Sequence, residues 1–174
     1  MTTERFGIYK TGGKEVTIIG SDIKVGQTAP DFAVHALDWS VKRGLADTAG
    51  KVRIIAAVPS LDTEVCDRET RRFNQEAASL SKDIVIEVIS TDLPYTQKRW
   101  CGAAGVEQVM VLSDHMTAEF SEKYAVLVKE RRVCRRAVFV IGKDDKAVYA
   151  AYMPVSGDEP NYAEVIEAAK KALG

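Results

Sequence analysis

Apolar positions along this chain follow two patterns. Near-continuous runs are the first: Val52-Arg53-Ile54-Ile55-Ala56-Ala57-Val58, Ile84-Val85-Ile86-Glu87-Val88-Ile89 and Ala137-Val138-Phe139-Val140-Ile141. Such runs predict strands, and the 84–89 run has the composition of a central strand covered on both faces. Val109 to Leu112 predicts another short strand. In the second pattern apolar residues recur at helical spacing. Phe73, Ala77 and Leu80 do so after Cys66, Phe120 and Tyr124 within 117–124, and Tyr162, Val165, Ile166 and Ala169 within 160–173. Asp92-Leu93-Pro94 supplies an acidic cap candidate and a first-turn proline. The helix it starts carries Trp100 and Cys101 and gives out between Gly102 and Gly105.

The remaining segments alternate. Phe6 to Ile19 reads as a β-hairpin turning at Thr11-Gly12-Gly13-Lys14, within an N-terminal unit of about 4–20. The rest of the pattern does not call for it, so it reads as an N-terminal addition. Phe32 to Leu37 is a short strand, and Ala147 to Tyr152 pairs back on the 137–141 strand across Gly142-Lys143-Asp144-Asp145-Lys146. From residue 52 onward the order is strand, helix, strand, helix, strand, helix, strand, strand, helix. Alternation of this kind implies parallel pairing through right-handed crossovers, and the late hairpin adds an antiparallel edge. The expectation is an α/β fold, a three-layer α/β/α sandwich around a mixed central sheet, as one domain over 1–174.

Composition narrows the class. The chain has 174 residues, 24 basic and 25 acidic, with a net charge of −1 and thus no global field for nucleic acid or a membrane surface. No apolar run approaches the roughly 18 residues of a spanning helix. Met1-Thr2-Thr3-Glu4-Arg5 is not followed by an apolar signal core. Three cysteines, Cys66, Cys101 and Cys134, are too few and odd in number for a secreted disulfide framework. A cytoplasmic protein with functional thiols fits these observations.

Candidate chemistry centres on Cys66. The strand at 52–58 stops at Pro59, polar turn-forming residues follow, and Cys66 stands where a helix begins. Thr63 is placed to cap that helix with its hydroxyl. A sulfur in the first turn sees unpaired N–H groups and the positive end of the helix dipole, which favour thiolate over thiol. Cys66 therefore reads as a nucleophile, against the plainer reading of a small buried hydrophobe at a helix start.

Pro59-x-x-x-Thr63-x-x-Cys66 resembles the active-site signature of the peroxiredoxins, which have a thioredoxin-like fold. Val58-Pro59-Ser60-Leu61-Asp62-Thr63-x-Val65-Cys66, Phe73-Asn74-x-Glu76-Ala77-Ala78, Ser90-x-Asp92-Leu93-Pro94-Tyr95, Cys101-Gly102, Arg136-Ala137-Val138 and the N-terminal hairpin are similar to the bacterial thiol peroxidase group, an atypical two-cysteine class. The resemblance implies a peroxidatic Cys66 and a resolving Cys101 in one subunit, thioredoxin as reductant and a homodimer. It also implies hydrogen peroxide and organic hydroperoxides as substrates, with no cofactor beyond the cysteine pair. By the same resemblance Pro59 shields the thiolate, Thr63 holds the peroxide and the sulfur, and Arg136 stabilises the thiolate and polarises the peroxide, with Arg135 as the competing arginine. The two thiols lie on separate helices, so one segment must loosen locally before a disulfide can form.

Two residues depart from the pattern. Cys134 is an additional thiol, read as a spectator, although Arg132, Arg135 and Arg136 beside it could lower its pKa. Glu64 places a negative charge two residues from Cys66. The basic run Lys129 to Arg136 contains Glu130, lacks interleaved aromatics and reads as a solvated hairpin rather than a nucleic-acid patch. His35 and His115 share no metal-ligand spacing, and Gly12-Gly13 opens no helix that could hold a phosphate. Two other functions compete. A thioredoxin-type disulfide oxidoreductase would want Cys-x-x-Cys at the helix start, which is absent here. A peroxide-sensing interaction protein would use the same thiol without turnover.

Overall fold

The computed structural model describes residues 2–174; Met1, where the signal-segment and domain readings begin, lies outside the described residues. In chain order the elements are β1 (Glu4–Thr11), β2 (Lys14–Ile19), β3 (Ala33–His35), β4 (Val41–Arg43), β5 (Val52–Ala57), α1 (Glu64–Ala77), β6 (Ile84–Ser90), α2 (Pro94–Ala104), β7 (Met110–Ser113), α3 (Glu119–Lys123), β8 (Leu127–Val128), β9 (Val133–Cys134), β10 (Ala137–Ile141), β11 (Ala147–Tyr152) and α4 (Tyr162–Leu173).

Seven strands make one mixed sheet in the order β11-β10-β5-β6-β7-β3-β4. The three apolar strands β5, β6 and β7 are parallel, joined through α1 and α2. Antiparallel strands flank them on both sides: β10 and β11 beyond β5, β3 and β4 beyond β7. Two consecutive crossovers in the same direction put α1 and α2 on one face. There Cys66 and Phe73 of α1, Trp100 and Cys101 of α2, and Val165 and Ala169 of α4 share a core with the sheet. The other face is covered by α3 and the segment before β3, through Phe32, Phe120 and Tyr124. The three-layer thioredoxin-like arrangement is therefore present, with a thin outer layer on the α3 side.

The N-terminal hairpin is not an addition. β2 pairs with β8 and β8 with β9, giving a second sheet in the order β1-β2-β8-β9. The inner face of the hairpin, Tyr9, Val16 and Ile18, is buried against Ala125 and Val128. Lys10 donates its N–H to the Pro154 carbonyl (3.0 Å) and accepts one from Ser156 (3.0 Å). The hairpin's exit passes so close to α3 that a Cβ on Gly20 would lie 2.5 Å from the Glu122 carbonyl oxygen, and its φ is +99°. Only glycine suits both conditions. The basic run divides: Lys129 to Arg132 form the exposed turn between β8 and β9, whereas Arg135 and Arg136 are buried.

Two charged residues lie inside the sheet. Arg53 is wholly buried, and its guanidinium is satisfied by the Leu45 carbonyl (2.7 Å), the Thr48 hydroxyl (2.8 Å), the Gly142 carbonyl (2.9 Å) and Asp145 (2.8 Å). Glu87 is also wholly buried, yet among the described residues neither of its carboxyl oxygens has a hydrogen-bond partner. Burial pushes its carboxyl up to about 8, with Arg53 pulling it only part of the way back. The folded protein then keeps this proton to higher pH than the unfolded chain. The stability attached to it is complete below the ordinary value of 4.5 and is lost as pH rises through about 8. Glu87→Gln removes the ionisation. In paired thermal melts its stability relative to the parent should climb from pH 5 to pH 8.5 by on the order of 3 kcal/mol. A constant offset across that range would show that Glu87 does not titrate there.

Candidate active site

Cys66 is the third residue of α1, wholly buried beneath the loop that leaves β5. Its Sγ accepts a hydrogen bond from Arg136 Nη2 at 3.2 Å. Arg136 stands immediately before β10 and uses its whole fork: Nη1 donates to the Glu69 carboxylate and Nε to the Ser156 carbonyl at 3.0 Å. Cys66 and Glu69 are three residues apart on one helix, so both point at the same guanidinium. Burial alone would favour a neutral Arg136, but Glu69 and Cys66 more than offset it and hold the group above its ordinary value. Burial pushes the Glu69 carboxyl up to about 7, against the pull of Arg136. Arg135, the competing arginine, turns away. It stacks on Tyr9 and Tyr152, with its Cζ 5.5 and 4.8 Å from the ring centroids, and donates to the Met153 carbonyl (3.1 Å).

Thr63 does occupy the N-cap position of α1, but its hydroxyl donates to the Ser60 carbonyl at 2.9 Å instead of capping the helix. It is exposed at the mouth of a cavity of about 330 Å³ whose walls include Pro59, Val65, Val133 and Arg136. Pro59 is half-buried on that wall. The residues expected at the site, Pro59, Thr63, Cys66 and Arg136, are thus brought together. A larger groove of about 490 Å³ between β11 and α4, lined by Tyr149, Glu164 and Lys171, contains neither a thiol nor a guanidinium. Glu64 points outward, with its side chain 89% exposed and paired with Arg68 at 3.4 Å. Its charge is therefore largely screened from the sulfur.

Two site residues escaped the sequence reading. Glu69, just described, is one. Asp92 is the other: expected to cap α2, it instead holds the catalytic loop. Its carboxylate accepts from the Ser60 hydroxyl (2.7 Å), the Leu61 N–H (2.9 Å) and the Ser90 hydroxyl (2.7 Å). The N-cap residue of α2 is Leu93. Glu69's spacing of three from Cys66 was a readable signal, whereas Asp92's partners in the loop, Ser60 and Leu61, lie about 30 residues away in sequence.

All three cysteines are free and buried. Cys101 sits in the last turn of α2, in the same core as Cys66, and burial pushes its thiol up to about 11. Cys134 lies on the opposite side of the sheet, wholly buried, with its sulfur 3.3 Å from the Ser121 hydroxyl. Burial drives its thiol well above the ordinary range, so the neighbouring arginines do not activate it. Between Cys134 and Arg136 the chain passes from β9 of the second sheet to β10 of the central one, which lets these two residues face different cores. His35 and His115, unrelated in spacing, come together with ring centroids 5.7 Å apart. Among the described residues no group of three or more His, Cys, Asp or Glu side chains is placed to hold a metal. Among them, too, no helix is long and apolar enough to cross a membrane.

A thioredoxin-like fold with a buried cysteine in the first turn of a helix, bonded by an arginine, defines a thiol-based peroxidase of the peroxiredoxin type. Residues 24–166 match the Redoxin family, and the chain belongs to it. It is similar to the thiol peroxidase of Bacillus subtilis (strain 168), 49% identical over 158 residues, 91% of this chain and 93% of that protein. The thiol peroxidase of Oceanobacillus iheyensis is 49% identical over 151 residues, 87% of this chain and 91% of that one. Among solved structures, a peroxiredoxin-like protein from Aquifex aeolicus matches with a TM-score of 0.87 at 35% identity, covering 97% of this chain and 99% of that one. The thiol peroxidase from Chromobacterium violaceum, at 15% identity, shares the fold with a TM-score of 0.83 over 95% of this chain and 96% of its own. This chain is accordingly a peroxidase whose activity depends on thiols.

Asp92→Ala removes both tethers of the catalytic loop, at Ser60 and Leu61, together with the bond to Ser90. It should lower stability by roughly 2–4 kcal/mol and peroxide consumption by more than about tenfold through misplacement of the loop. Parental peroxide consumption in a folded variant would confine Asp92 to a stabilising role.

Proposed function

We propose that Cys66 attacks hydroperoxides as a thiolate and that Cys101 resolves the product. The observation that carries this reading is the Arg136 fork joining the Cys66 sulfur to the Glu69 carboxylate. A fixed guanidinium donating to sulfur favours the anion, and it lies where charge must be balanced as the O–O bond breaks. Sulfur bonds to the terminal peroxide oxygen, the distal oxygen leaves as alkoxide or hydroxide and takes a proton, and Cys66 becomes a sulfenic acid. Thr63 donates its hydroxyl proton to Ser60, which leaves its oxygen lone pairs to accept the peroxide O–H. Pro59 walls off bulk water. Glu69 positions Arg136, since its carboxyl on the second arm of the fork keeps the guanidinium aimed at the sulfur.

Cys101 then condenses with the sulfenic acid to a disulfide, and a dithiol reductant of the thioredoxin class restores both thiols. Hydrogen peroxide and organic hydroperoxides are the substrates, and the cysteine pair alone carries the redox chemistry, without a cofactor. A homodimer working in the cytoplasm completes the proposal, supported by the family resemblance and the cysteine usage. Peroxide turnover with thioredoxin and its reductase tests it. Cys66→Ser should give none, Cys101→Ser a single round, and Cys134→Ser the parental rate. Arg136→Met should slow the first step by about 100-fold or more. Full turnover by Cys66→Ser would overturn the assignment.

A further inference from the structure

Asp67, Arg71 and Asn74 form a row on α1 at spacings of four and three, so they share one face of the helix. That face meets the end of α2 that carries Cys101. Asp67 Oδ1 accepts the indole N–H of Trp100 at 2.9 Å, and its Oδ2 accepts from Arg71 Nε at 2.9 Å. Arg71 in turn donates to the Ala104 carbonyl (3.3 Å), one of the groups a helix end leaves unpaired. Its Cζ also lies 5.7 Å from the Trp100 ring centroid. Asn74 Oδ1 accepts the N–H groups of Glu107 (3.2 Å) and Gln108 (2.7 Å), in the segment that follows. Cys101 lies between these fixtures, and its own carbonyl accepts from Val106 at 3.1 Å.

Asp67 has a second attachment. It directly follows Cys66, and its amide donates to the Thr63 carbonyl at 2.9 Å, closing the first turn of α1. That turn must open for the buried Cys66 sulfur to leave its pocket. Opening it moves Asp67, and moving Asp67 breaks the hold on Trp100 and Arg71 together.

We propose that Asp67, Arg71 and Asn74 act as a clamp that restrains the Cys101 end of α2 and releases it when the first turn of α1 opens. Resolution is thereby gated on oxidation of Cys66. The inference rests on the Cys66–Cys101 reading given above. In the gated step the Cys66 sulfenic S–O bond breaks and an S–S bond to Cys101 forms. The Cys101 thiol proton leaves with the oxygen as water; the sulfenic sulfur is reduced and the thiol sulfur oxidised. A second peroxide competes for the same sulfenic acid and drives it to the sulfinic state. The ratio of these two fates therefore reports how readily the clamp lets go.

The test uses the whole protein with hydrogen peroxide and acid-quench mass spectrometry. It compares the parent with Trp100→Phe, which loses the indole donor but keeps an aromatic ring, and with Arg71→Met at the half-exposed end. Arg72→Met, whose guanidinium pairs with Glu76 and lies over Tyr162, is the control. Loss of the reduced Cys66 thiol should proceed at the parental rate in all four proteins. Disulfide formation should be about three- to tenfold faster in Trp100→Phe and Arg71→Met, with the sulfinic fraction at high peroxide lower by the same factor, while Arg72→Met follows the parent. Unchanged or slower disulfide formation in both clamp variants, with the disulfide present, overturns the clamp and leaves the cysteine pair standing. Absence of a Cys66–Cys101 disulfide in the parent overturns both.

Discussion

A guanidinium taken out of water carries a large desolvation cost, and it is tolerated only where its charge and its donors are all answered. Arg136 meets that condition with three acceptors of different kinds: a sulfur, a carboxylate and a backbone carbonyl. Each acceptor commits a different part of the chain. Cys66 and Glu69 set the rotation of α1 about its axis, because only one face can offer both. The Ser156 carbonyl commits the loop after β11. That loop is held by backbone bonds to Lys10, which makes β1 part of the active-site wall. The N-terminal hairpin therefore borders the site as well as supplying apolar cover to Val128 and Ala125.

The two buried carboxyls illustrate what a partner changes. Glu69 and Glu87 are equally inaccessible, on opposite faces of the sheet, and burial raises both. Glu69 has a guanidinium in hydrogen-bond contact. Glu87 has Arg53 in the same layer, but that arginine's bonds go to carbonyls, a hydroxyl and Asp145. Of these two carboxyls, Glu69 is answered by a directed contact and Glu87 is not.

The central strands and the helices around them were legible because their patterns are long: β5, β6 and β10 are continuous apolar runs, and α1, α2 and α4 span three turns or more. β4, β8 and β9 were not, since two or three residues carry no periodicity, and β8 also pairs with β2, far back in the chain. The same limit hid the integration of the N-terminal hairpin, whose second sheet is completed by those short strands. In the site, Cys66 and Arg136 could be read from their local signatures. Asp92 could not, because an acid before Leu-Pro looks like a helix cap, while its actual donors come from the loop after β5. Cys134 shows the converse: a residue close in sequence to three arginines can have its sulfur buried against another partner, here the Ser121 hydroxyl.

The proposed peroxide chemistry with two buried thiols makes opposing demands on one fold. The sulfur that reacts must be held rigidly, and the bond that follows requires the two Cα atoms to come within about 7 Å, with side chains aimed at each other. The distribution of polar contacts fits that division. Around Arg136 the bonded groups are almost wholly buried, so breaking one leaves an unpaired charge in the interior and is strongly resisted. Around Trp100 and Cys101 the bonds are made by Asp67 and Arg71, whose side chains are 36% and 46% exposed. Exposed ion pairs of this kind contribute up to about 1 kcal/mol, and water replaces them as they open. A segment held by several such bonds stays closed until one structural event disturbs them together, and α1 carries both the sulfur proposed to react and the row of residues holding Cys101. On the proposed mechanism, the helix that receives the oxygen is therefore also the one placed to pass on that it has done so.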